Sequence, residues 1–254
     1  MENIQEEVLV NDLESLSTKE QQDDKKIKVF ISFPGYSFSA KVMAAWTSTI
    51  HALFESRKYN MNVSFGESSF VPFARMKTLG LDVLRGIDQK AFNDADFDVW
   101  LTIDSDIVFT PDNVMEIIEA TKEHSVVSGF YRMSDLKNHA GVVNWDVDYF
   151  RKNGHYEFLT QEAIDKWKKE NPNSKFMKVA YTGMGFMAVT KAALDSLSYP
   201  YFNSELEELR GLDGKLLRPM ISEDVAFCKN LSKAGHDVYL MPNMRLGHVK
   251  ELII

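Results

Sequence analysis

Short apolar runs alternate with stripes of apolar residues at helical spacing, and this alternation predicts an α/β fold built on a mostly parallel sheet. Residues 27–33 (Ile-Lys-Val-Phe-Ile-Ser-Phe) read as a first strand, closed by the turn residues Pro34, Gly35, Tyr36 and Ser37. Residues 39–57 place Val42, Met43, Trp46, Ile50 and Leu53 on one helical face, and residues 61–65 form a second strand. After Gly66 comes a helical stretch carrying Ala74, Arg75, Met76, Leu79, Leu81 and Leu84. The central strand, 97–103, follows. An order of strand, helix, strand, helix, strand implies parallel pairing with right-handed crossovers. A helix from Pro111 to about residue 123 turns Val114, Ile117 and Ile118 inward, with proline where a missing N–H costs nothing. Residues 125–131 make the next strand.

Beyond residue 131 the pattern loosens into polar text dotted with Trp145, Tyr149, Phe150 and Tyr156, and predicts one helix, 161–169. It reads as an inserted hairpin region. Residues 176–180 and 185–189 are strand-like, joined through Tyr181-Thr182-Gly183-Met184 and followed by a short helix, 191–197. Residues 203–220 read as a loop. The last helix starts at Ser222, carries Phe227, Cys228 and Leu231, and ends at Gly235, before a strand at 237–242.

The central strand ends on Asp104-Ser105-Asp106. Ligands of open α/β sheets sit at the carboxyl ends of strands. Two carboxylates there, with Pro111-Asp112 opening a helix soon after, make an oxygen-rich pocket suited to a hard divalent cation. An Asp-x-Asp also suits a plain solvated turn, and pattern alone leaves both readings open. The turn at Tyr36 should share this edge, either as a cradle for a base or as an ordinary strand-to-helix turn. Gly183 and Gly185 suit a tight turn or a close backbone approach. Glu223 and Asp224 fall in a first helical turn, where negative charge complements the dipole. His248, after the last strand, is a surface histidine or a metal ligand.

Composition narrows the partners. The 254-residue chain has a formal charge of -8, but residues 1–26 hold eight acids and three lysines, so the remainder is nearly neutral. A generic nucleic-acid binder would show a basic face. The acidic segment 1–26 reads as a flexible tail, apart from a short helix carrying Val8, Leu13 and Leu16. Residues 27–254 read as a single domain. One cysteine, Cys228, allows no internal disulfide, and no run of about eighteen apolar residues or signal-peptide pattern occurs. A soluble cytoplasmic protein with no membrane span is expected.

Taken together, Ser32-Phe33-Pro34-Gly35, Ala74-Arg75-Met76, Ile103-Asp104-Ser105-Asp106 with Pro111-Asp112, Val126-Val127-Ser128-Gly129, Gly183-Met184-Gly185-Phe186, Ser222-Glu223-Asp224-Val225 and His248 resemble the GT-A-fold glycosyltransferases. The likeness runs from about residue 26 to 249 and rests on the order and spacing of these segments. Its compact soluble members from large DNA viruses and bacteriophages are the most similar in flavour. The resemblance implies a Rossmann-like sheet with a smaller mixed or antiparallel sheet on the acceptor side. It implies transfer of a hexosyl or deoxyhexosyl group from a nucleotide-diphosphate sugar to a hydroxyl of a glycan or glycoprotein. Asp106 would be the main ligand of Mn²⁺ or Mg²⁺, with Asp104 and His248 completing the shell. Pro34, Tyr36, Arg75, Asp104, Ser105 and Gly185 would hold the donor. Asp224, with Glu223 as second choice, would be the base of an inverting displacement. Two alternatives remain. Asp104-Ser105-Asp106 also resembles the nucleophile motif of haloacid-dehalogenase-type phosphatases, and an inert nucleotide-sugar-binding module would need no base.

Overall fold

The structure is a computed structural model, and the residues it describes are 26–250. The helix expected around Val8, Leu13 and Leu16 lies outside the described residues.

The first half repeats strand and helix: β1 (Ile27–Pro34), α1 (Ala40–Ser56), β2 (Tyr59–Gly66), α2 (Val71–Thr78) and β3 (Val99–Ile103). Ser39 caps α1, its hydroxyl accepting from Val42 N at 3.3 Å. The buried stripe of α1 is Val42, Trp46, Thr49 and Leu53, while Met43 faces solvent. The helical stretch after Gly66 is shorter than its spacing predicts. Gly80, at φ +65°, ends α2: Leu81 N donates to Met76 O at 3.0 Å and Gly80 N to Lys77 O at 3.0 Å. This pair of bonds is the Schellman arrangement, which turns the chain out of the helix. Leu84 is therefore not on a helical core face but 92% exposed.

A two-residue strand β4 (Ile107–Val108), α3 (Pro111–Ala120) and β5 (Val126–Phe130) follow. The inserted region contains β6 (Asn138–Val142), α4 (Val147–Asn153), β7 (Phe158–Thr160) and α5 (Gln161–Glu170). Helix α4 was not expected. Asp146 caps it, accepting from Tyr149 N at 2.9 Å, and Gly154 closes it in the left-handed region. The chain continues through β8 (Met177–Val179), β9 (Tyr181–Thr182), β10 (Phe186–Thr190) and α6 (Lys191–Asp195). The stretch 203–220, read as a loop, is organised by the pair β11 (Leu209–Arg210) and β12 (Leu216–Leu217). Then come α7 (Glu223–Lys233), β13 (Val238–Arg245) and β14 (Gly247–His248).

Seven strands form the central sheet in the order β2-β1-β3-β10-β5-β13-β8, in which β10 and β8 run against the other five. All five residues of β3 are buried, and its alternation feeds two cores. Val99, Leu101 and Ile103 pack with α1 and α3; Trp100 packs on the other face with Phe202 and Phe227. Burial of each such side chain is worth about 1.5–3 kcal/mol. The Trp100 indole N–H donates to Ser32 Oγ at 2.9 Å, so its polar atom is satisfied inside the core. A separate three-stranded antiparallel sheet, β7-β6-β9, is the small sheet expected beside the main one. The fold is thus α/β with a mostly parallel central sheet flanked by helices. Among the described residues no helix is long and apolar enough to cross a membrane.

Candidate functional site

The carboxyl ends of β1 and β3 lie side by side in the parallel sheet, and the first-strand turn meets the Asp104-Ser105-Asp106 loop. Gly35 is at φ +141°, and a Cβ there would come within 2.8 Å of the Ser105 Cβ. Glycine at this position therefore allows the two loops to touch. Tyr36, beyond it, is 79% exposed.

Asp104 is tied to α2. Arg75, 4% exposed, clamps its carboxylate with Nη1 to Oδ1 at 2.9 Å and Nη2 to Oδ2 at 3.2 Å. Arg75 Nε stands 3.7 Å from Glu223 Oε1, at the start of α7. Burial opposes the guanidinium charge, but Asp104, Glu223 and Asp224 outweigh it and raise the Arg75 pKa. Arg75 thus joins the strand-end aspartate to the acidic pair. Burial and the neighbouring Asp224 push the Glu223 carboxyl up.

Asp106 belongs to a different network. Its Oδ2 lies 3.1 Å from His248 Nε2 and accepts from Lys250 Nζ at 2.8 Å, while its carbonyl accepts from Val249 N at 2.8 Å. The pairing of β14 with β4 brings these residues together. Partial burial raises the Asp106 carboxyl, but hydrogen bonds and charge from His248 and Lys250 prevail and hold it at about 2. The Arg132 carbonyl is 2.7 Å from His248 Nδ1 and can only accept, so Nδ1 carries a proton.

Asp224 faces the small sheet. Its Oδ1 accepts from the Ser222 hydroxyl and from Val225 N at 2.9 Å, and its Oδ2 accepts from the Tyr181 hydroxyl at 3.2 Å. The Ser222 side chain therefore does not cap the backbone of α7, as its position suggested; it donates to Asp224 instead. Gly185 does not serve a turn alone. Its N–H donates to the buried Tyr131 hydroxyl at 3.0 Å, and a Cβ at Gly185 would sit 2.7 Å from that phenol. Gly185 O accepts from Asp104 N at 2.9 Å, so it also fixes the end of β3.

Arg75, Asp104, Glu223 and Asp224 thus form one cluster at this sheet edge, Asp106 and His248 a second, with Ser105 against Gly35. Asp104 does not join Asp106 and His248. Among the described residues no three His, Cys, Asp or Glu side chains form a metal cluster. The donor types, carboxylate oxygen and imidazole nitrogen, still suit Mn²⁺ or Mg²⁺, which often take one or two protein ligands and complete their shell with substrate phosphates. Sequence reasoning missed Tyr131, Tyr181 and Lys250. Tyr131 directly follows β5 at its carboxyl end, and Lys250 lies two residues beyond His248, the spacing that puts side chains on one side of an extended segment.

No protein-family model matches the chain. No curated protein matches it. Among solved structures it is similar to GalNAc-T7, in a crystal structure with UDP, GalNAc and Mn²⁺. The TM-score is 0.51 at 10% identity, covering 91% of this chain and 44% of that one. The chain thus spans less than half the length of that protein. A mycobacterial protein aligns at a TM-score of 0.40 and 11% identity, over 92% of this chain and 71% of its own. The likeness to GalNAc-T7 shows the fold: this chain has a GT-A-like fold.

Proposed function

We propose that the protein is a metal-dependent glycosyltransferase that moves a hexosyl or deoxyhexosyl group from a nucleotide-diphosphate sugar to an acceptor hydroxyl, with inversion. The observation that carries this reading is the cluster of Asp104, Glu223 and Asp224 at one sheet edge of a GT-A-like fold, with Arg75 linking Asp104 to Glu223 and with Asp106, on the same loop as Asp104, paired with His248. GalNAc-T7, with its UDP and Mn²⁺, supports the donor class.

Asp106 and His248 would hold Mn²⁺ or Mg²⁺, with Asp104 near the donor. When bound, such an ion offsets the negative charge that gathers on the departing diphosphate. Pro34, Tyr36 and Ser105 border the donor side, and Gly185 holds the Asp104 backbone beneath it. Arg75 keeps Asp104 and Glu223 in register. Asp224 Oδ2 accepts only from Tyr181 among the described residues, so it retains a lone pair for an acceptor hydroxyl. Asp224 takes that proton as the acceptor oxygen attacks the anomeric carbon and the bond to the diphosphate breaks. Glu223, turned toward Arg75, acts on the donor side. The β7-β6-β9 sheet, which supplies Tyr181, forms the wall on which a glycan or glycoprotein acceptor rests.

A phosphatase reading would make Asp104 the nucleophile, yet both of its oxygens are engaged by Arg75. The test incubates the protein with Mn²⁺, nucleotide sugars and saccharide acceptors, and follows glycoside and released nucleotide by mass spectrometry. A glycoside formed by wild type, and lost in Asp224→Asn while donor still binds, supports the assignment. Inorganic phosphate released without glycoside would indicate a phosphatase, and binding without turnover an inert module.

A further inference from the structure

The opposite edge of the central sheet carries a feature that the transferase reading does not use. A cavity of about 670 Å³ opens beside the starts of β1 and β2. Leu53, Phe54 and Met61 give it an apolar lining, and Arg57, Lys58 and Lys122 give it positive charge. Phe54 is 71% exposed, an uncovered aromatic on the last turn of α1. Lys122 is paired with Glu119 at 2.6 Å, whereas Arg57 and Lys58 form no ion pair among the described residues. A second cavity of about 540 Å³ shares Lys26, Ile27 and Lys122 with the first, so the two make one trough around the start of β1.

The described chain begins in this trough, at Lys26. The 25 residues before it hold eight acids against two lysines, and they include Val8, Leu13 and Leu16. The trough offers the complement on both counts, the uncovered Phe54 ring and a cationic rim. The ten residues from Leu16 to Lys26 reach at most about 33–36 Å, enough to fold the segment back over β1 and β2.

We propose that residues 6–16 dock in this trough. Val8, Leu13 and Leu16 cover Phe54 and the half-buried Met61, and Glu6, Glu7, Asp12 and Glu14 face Arg57, Lys58 and Lys122. The occupant is the chain's own acidic segment, held by apolar contact and by charge that salt screens. The docking is independent of the chemistry at the other end of the sheet and does not rest on the transferase reading.

Amide hydrogen exchange on the full chain tests this. Residues 6–16 should exchange at least about tenfold more slowly than an unstructured peptide of the same sequence. The protection should fall away in Lys58→Glu/Lys122→Glu and in about 0.5 M salt, where surface charges are screened. It should return when Glu7→Lys/Glu14→Lys is added to the charge-reversed protein. Both pocket substitutions are at exposed positions, so folding is not at stake. Unprotected exchange in wild type overturns the proposal, as does protection indifferent to charge reversal or a compensating variant that restores nothing. Protection that rises with protein concentration also overturns it, because the segment would then be docking on a second copy.

Discussion

The two halves of the central sheet hold the two aspartates of Asp104-Ser105-Asp106 in opposite ways. Asp104 is clamped by a buried arginine from α2, within the regular strand and helix repeat of the first half. Asp106 is held by His248 and Lys250 from the end of the second half, where Val249 also donates to its backbone. The loop is therefore a seam between two networks. One residue separates the carboxylates in sequence, yet one is locked by a bidentate ion pair while the other faces a histidine and an exposed lysine. The proposed transfer would use Asp104 as the rigid support beside the donor and Asp106 as the carboxylate that meets the metal.

The largest effect is expected at the acidic pair that meets the first network. Asp224→Asn should lower transfer by about 10²–10⁴-fold, the range of general-base loss, while donor affinity stays within a few-fold; parallel loss of both would break the assignment. Next is Arg75→Met. It leaves Asp104 and Glu223 without their buried partner and should cost about 3–5 kcal/mol in chemical denaturation. Combined with His248→Ala, the two losses should add to within about 0.5 kcal/mol if the networks are independent. Coupling well above that would merge the halves this comparison separates. Gly185→Ala pushes a methyl group against the Tyr131 phenol, for about 1–3 kcal/mol of overpacking read as a lower melting temperature.

The smallest effect concerns pH. The folded Asp106 carboxyl, held at about 2, lies below an unfolded value of about 3.9. Its contribution to stability is thus present above pH 4 and lost as pH falls through about 2. Wild type in chelator should lose more stability than Asp106→Asn across that window, and identical slopes would contradict the depressed value.

Much of the first half was legible in the sequence because its elements are local. The stripe of α1, the buried run of β3 and the inward face of α3 each follow from spacing within one segment. The end of α2 was misread because apolar Leu79, Leu81 and Leu84 continue a helical spacing through Gly80, whose left-handed turn breaks it. In the second half, α4 is only seven residues long, too short for periodicity to stand out, although Asp146 and Gly154 mark its ends. The pair β11 and β12 has two residues per strand. At the site, residue types pointed to Asp104, Asp106, Glu223, Asp224 and His248. Their partition between two networks did not follow from spacing, because it depends on contacts across long stretches of chain. Arg75 lies 29 residues from Asp104, and His248 lies 142 from Asp106. Ser222 was read as a backbone cap because its position allows it, and only the placement of Asp224 shows where its proton goes.

The most direct test of the central claim is thermal unfolding with Mn²⁺ and a panel of UDP-, GDP-, CMP- and dTDP-linked sugars, on wild type and Asp106→Asn. A donor at about 100 times its Kd should add about 2.7 kcal/mol, or about 5–10 °C for a chain of this size. That shift is expected for one nucleotide, only with metal, and not in Asp106→Asn. No shift with any nucleotide in the presence of metal, or an equal shift in the variant, would contradict a metal-dependent donor site at Asp106.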